Sequence, residues 1–162
     1  MPLVALVSPA RAADPQLLGT YRDWNAFILE EPKGRACWMV SRPKRQEGDF
    51  TKRGDVYVLV SHRPYRQEQD VVSVVAGYAY AENTEVSVKI GGESFSLFTD
   101  GDWAWARETS VDRALSRAIR QGTIMVVRGT SSRGTRTTDT YSLSGSSAAY
   151  AAINKACGLA GS

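Results

Sequence analysis

Residues 85–98 dictate their own local structure. Glu85-Val-Ser-Val-Lys-Ile90 alternates polar and apolar, Gly91-Gly92 follows, and Glu93-Ser-Phe-Ser-Leu-Phe98 alternates back. A period of two places successive side chains on opposite faces of a strand, and a two-residue Gly-Gly turn returns that strand antiparallel. In this register Val88 opposes Phe95 and Val86 opposes Leu97, so the apolar faces coincide across the turn.

Other segments read the same way. Ala36–Ser41, Asp55–His62 and the β-branched Val71–Tyr78 are strands. Thr123–Gly129 and Arg136–Ser144 form a second hairpin around Thr130–Thr135, whose glycines allow positive φ. A further turn through Asp100-Gly101 leads into Trp103-Ala-Trp105. A two-residue turn sets Trp103 beside Phe98; a three-residue loop sets Trp105 beside Leu97. Both Trp share one face in either case, and core packing is expected for at least one. Arg42–Gly54 is polar and reads as a loop.

Two helices are expected. One runs from a Thr109 or Ser110 cap to Gln121 and is ended by Gly122. Its apolar stripe is Val111, Ala114, Leu115, Ala118 and Ile119; Arg113, Arg117 and Arg120 share the other side. The second is alanine-rich, from about Ser147 to Ala156, with Cys157 at its end. Short strands and two short helices within 162 residues predict one mainly β domain, an antiparallel β-sandwich with helical edges, over residues 13–162.

The remaining residues, 1–12, read as a secretion signal. Leu3–Val7 is apolar, Pro9 breaks a helix, and Ala10-Arg11-Ala12 is an A-x-A cleavage site. A basic opening stretch is missing, as expected of a segment that starts inside a longer leader. No run approaches the ~20 apolar residues of a membrane-spanning helix. The formal charge is +3, or +2 without Arg11, which is weak support for nucleic acid as a partner. Cys37 and Cys157 enclose about 120 residues. An even count behind a leader predicts one disulfide and a periplasmic or secreted location; the alternative is two separately buried thiols.

Little in the chain carries reaction chemistry. His62, the one histidine, reads as a surface or capping residue. No metal-ligand spacing and no Gly-x-Ser-x-Gly elbow occurs, and no cofactor is expected. Gly129–Arg136 has phosphate-loop glycines but lacks the Lys-Ser/Thr, and it lies between strands. Its Arg128, Arg133 and Arg136 are candidate anion contacts, as are Arg113, Arg117 and Arg120 on the first helix. Arg53-Gly54-Asp55 spells an integrin-recognition triplet, read here as a loop-to-strand junction with Asp55 in the ladder. Asp102, Trp103 and Trp105 are an alternative carbohydrate-binding surface.

One resemblance spans Leu17 to Leu159. Gly19-Thr-Tyr-Arg-Asp-Trp24, Ala36-Cys37-Trp-Met-Val40, Arg53-Gly-Asp-Val-Tyr-Val58 and Phe98-Thr-Asp-Gly-Asp-Trp-Ala-Trp105 carry it. So do Arg128-Gly-Thr-Ser-Ser-Arg-Gly-Thr135, Asp139-Thr-Tyr-Ser-Leu-Ser-Gly145, and the alanine helix ending in Cys157-Gly158. Together they resemble the invasion-associated locus B (IalB) family of exported proteins. Ser146 stands where that family usually has Phe. The resemblance implies export, an envelope location and a role in host interaction or envelope integrity. It implies no catalytic residues. The expected protein is therefore non-enzymatic and acts by binding, with an anionic envelope or host-surface component as the expected partner.

Overall fold

The computed structural model describes residues 13–160, so the expected leader lies outside the described residues. In chain order the elements are β1 (Gln16–Tyr21), β2 (Trp24–Glu31), β3 (Gly34–Ser41), β4 (Arg45–Glu47), β5 (Tyr57–Arg63) and β6 (Glu68–Val75). There follow β7 (Glu85–Ile90), β8 (Glu93–Asp100), β9 (Trp103–Trp105), α1 (Thr109–Gln121), β10 (Ile124–Thr130), β11 (Arg136–Ser142) and α2 (Ser146–Ala156). The mainly β, antiparallel reading with two short helices holds. The strands hydrogen-bond into one sheet whose two halves face a shared core, as in a sandwich, in the order β1-β2-β3-β5-β6-β9-β8-β7-β10-β11-β4.

The sheet curls back on itself. Asp23 N–H donates to Ser144 O at 3.2 Å and Trp24 Nε1 to Ser142 O at 3.1 Å, joining the β1–β2 turn to the end of β11. The chain leaving β3 crosses to the opposite edge, where β4 pairs with β11. Gly145 permits this closure. Its φ is +93°, and a Cβ there would lie 1.8 Å from Tyr21 O, so only glycine fits. Inward residues of both halves, from Trp24 and Val60 to Val88, Leu97 and Met125, form one core.

The Glu85–Phe98 hairpin has the expected register, Val88 against Phe95 and Val86 against Leu97. The next turn falls one residue later than expected. Asp100 opposes Trp103 and Phe98 opposes Trp105, which leaves Ala104 inward and buried. Both Trp therefore stand on the outer face rather than in the core. Helix α1 is also rotated from its apolar stripe: Asp112 and Ser116 are buried with Leu115, Ala118 and Ile119, while Ala114 is exposed. Glu108, rather than the expected Thr109 or Ser110, is its N-cap, and it makes no side-chain capping bond. Both helices pack against the β1–β6 part of the sheet, α1 on β6 and α2 on β1 to β3. Cys157, just past α2, is bonded to Cys37 on β3.

Candidate functional site

Outward positions of β2, β3, β5, β6 and β9 form a trough. The register sets Phe27 beside Trp38, Trp38 beside Ser61, and Ser61 beside Val71. One row along, Leu59 opposes Ser73 and Ser73 opposes Trp105. Small side chains thus lie between large aromatic ones. Phe27 and Trp38 stack at 5.7 Å and 18°, and Trp103 and Trp105 stack at 5.7 Å and 14°. Trp105 Nε1–H donates to Ser73 Oγ at 3.0 Å, which ties the indole to its cross-strand neighbour. Tyr57 meets Trp103 edge-on.

Trp38 and Trp105 are three strand spacings apart, about 14 Å. Between these walls lies a slot of about 390 Å³ over Leu59, Ser61, Val71 and Ser73, with Arg63 and Glu68 at its rim. A second depression of about 610 Å³ continues past Trp38 and Leu59 toward Phe27, Asn25 and Arg42. Volumes of this size suit small organic ligands or short oligomers. Asp102 does not face the slot; it lines a neighbouring depression with Tyr57, Gly77 and Tyr78.

The six candidate arginines form two sets. Arg113 and Arg117 are exposed on α1. Arg120 turns away from them: its guanidinium lies 4.0 Å from the Tyr150 ring centroid and its Nε–H donates to Ser116 O at 3.2 Å. Strand β10 then leaves the C-terminal end of α1 and runs roughly 20 Å before the loop that carries Arg133. Arg128 and Arg136 are exposed on the outer face of β10 and β11.

His62 is fully buried, contrary to the expected surface position. Its Nδ1 accepts the Asp70 amide at 3.0 Å, which leaves Nε2–H to donate to Asn154 Oδ1 at 2.8 Å. Asp70 also accepts from Tyr150 OH at 2.7 Å and Ser116 Oγ at 3.1 Å, and Asp112 accepts the Val72 amide at 3.0 Å. Burial holds the imidazole pKa down and pushes the Asp112 carboxyl up to about 6. The cluster ties both helices to β5 and β6, and solvent does not reach the ring. Periodicity could not find it, because Asp112 and Ser116 read as surface positions on an amphipathic helix.

Arg53 is equally committed. It grips Asp139 through two 2.7 Å bonds, with side-chain exposures of 3% and 4%, and donates to Ala76 O at 2.7 Å. Phe50 and Tyr78 cover its guanidinium. Asp55 precedes β5 rather than joining it and pairs with Arg42 at 3.2 Å. The Arg-Gly-Asp triplet has no arginine to present.

Fold and site define a class: a single curled antiparallel sheet with two covering helices, one long-range disulfide and an aromatic trough outside the core. Among the described residues no helix is long and apolar enough to cross a membrane. The family model for "Invasion associated locus B (IalB) protein" matches residues 24–154, most of the chain, and the protein belongs to that family. No curated protein and no solved structure gives a significant match.

Proposed function

We propose that this protein is exported and works in the envelope or at the host surface by recognition rather than catalysis, and that its trough seats the sugar rings of a neutral glycan. Membership of a family named for invasion supports the setting, and the disulfide supports an oxidising compartment. The observation that carries the binding reading is the pairing of Trp walls with a Ser61 and Ser73 floor. Aromatic faces stack on the C–H faces of sugars, while seryl hydroxyls and the Arg63–Glu68 rim match sugar hydroxyls. The sealed His62 cluster favours a non-enzymatic reading, since no substrate can reach the ring.

Titration with chito- and gluco-oligosaccharides, followed by tryptophan fluorescence, tests this. Saturable quenching lost in Trp38→Ala and in Trp105→Ala supports the trough. Quenching that survives both substitutions, or no response to any oligosaccharide, removes it.

A further inference from the structure

A second surface occupies the other half of the sheet and does not depend on the trough. Lys89 on β7 stands opposite Val126 on β10, and Arg128 lies two residues further along β10. Arg128 stands opposite Thr138 on β11, and Arg136 lies two residues from Thr138 in the same direction, level with Thr130. Each step is a cross-strand diagonal of about 7–8 Å, so the three cations form a straight row about 15 Å long.

All three side chains are exposed, while Val88, Val127 and Thr137 between them point inward and are buried. None of the three cations joins an ion pair among the described residues; of the nearby acids, Glu47 pairs with Arg45, Glu85 pairs with Arg107, and Glu93 on β8 is level with the inward-facing Ile90 rather than with Lys89. The row therefore carries uncompensated positive charge. Ser87 flanks Arg128 on one side and Thr138 on the other.

We propose that this row docks a linear anionic polysaccharide, one whose carboxylates or sulfates meet Lys89, Arg128 and Arg136 in turn. Charge complementarity selects a polyanion, and the straight row selects an extended chain. The hydroxyls of Ser87 and Thr138 beside Arg128 match sugar hydroxyls; Val126 and Ile124, outward on β10, are what a lipid surface would use, and the vesicle arm of the test separates the two. No aromatic side chain occupies the outward positions of β7, β10 or β11, so a nucleic acid base has nothing to stack on.

The test titrates the whole chain with heparin and with polygalacturonate at several salt concentrations. The logarithm of affinity should fall with that of salt at a slope of roughly −2 to −3, as for three neutralised charges. The triple variant Lys89→Gln, Arg128→Gln, Arg136→Gln should bind about 30-fold more weakly or worse. Arg113→Gln with Arg117→Gln removes as exposed a pair of charges and should change nothing. Far-UV circular dichroism confirms that each variant is folded. Unchanged binding by the triple variant overturns the proposal, as does loss of binding in the α1 variant. Tighter binding to phosphatidylglycerol vesicles or to oligo(dT) than to either polysaccharide also overturns it.

Discussion

From β2 to β9 the outward positions are largely aromatic or aliphatic; from β7 to β4 they are mostly hydroxyl-bearing or basic. The inward positions do not differ in this way: Val58, Val60 and Val72 in the first half correspond to Val86, Val88 and Val127 in the second. Burial selects the inner face for packing alone. The outer faces are free of that demand, so they can diverge without cost to the core. The halves are also fastened differently. The first is held by the Cys37–Cys157 bond and the His62 cluster beneath the helices, and the second by the Arg53–Asp139 pair, which anchors the loop before β5 to β11.

Reducing the disulfide should have the largest effect. With a sequence separation of 120, the bond is worth about 4–5 kcal/mol by loop entropy. Hydrogen exchange should rise first in α2, β2 and β3 while β10 and β11 stay protected; equal rates would mean that the halves open as one. Asp139→Ala strands Arg53 in the interior and should cost about 3–5 kcal/mol in urea unfolding. Exchange should then rise first in β11 and β4, the reverse pattern. A uniform rise in both cases would erase the contrast.

The His62 cluster should show as two opposed pH dependences. The Asp112 carboxyl titrates near 6 in the folded chain and at 3.8 by itself, so its contribution to stability grows as pH falls through that window. Burial lowers the His62 pKa below its ordinary 6.5, so the unfolded chain takes that proton first and stability is lost below about 6.5. Asp112→Asn retains an oxygen for the Val72 amide and removes only the first dependence. The variant should be more stable at neutral pH, by about 2–3 kcal/mol at most, and should lose stability more steeply on acidification. An unchanged slope in the urea midpoint against pH would show that the buried carboxylate carries no penalty.

Outer-face substitutions should cost least, and unequally. Trp105→Ala forfeits a stacked ring and the bond to Ser73, about 1–2 kcal/mol. Arg128→Gln should stay within about 0.5 kcal/mol. Equal denaturation midpoints for the two would break the distinction between a built face and a merely solvated one.

Much of the inner architecture was legible in the sequence because alternation encodes it locally. The Glu85–Phe98 register and the extent of α1 follow from a few residues each. Strands β1 and β2 were not, since Gln16–Tyr21 is mostly exposed and Trp24–Glu31 interrupts its alternation with Ile28-Leu29. Strand β4 hides in a charged loop because its three residues gain strand geometry only by pairing with β11. The trough was half legible: Trp103 and Trp105 stand two apart, but Trp38, Leu59 and Ser73 join them only through the registers of β3, β5 and β6. The arginine stripe of α1 looked continuous because helical spacing is blind to Tyr150, which draws Arg120 aside. Asp112 and Ser116 were misplaced for a related reason: their burial depends on partners supplied by other elements.

The position of Cys157 also orders events in time. Every strand and both helices of the described chain precede it, so when Cys37 is synthesised its mate is still 120 residues behind. No second thiol exists for a premature liaison within the molecule. Closure of this bond therefore certifies that synthesis has passed α2.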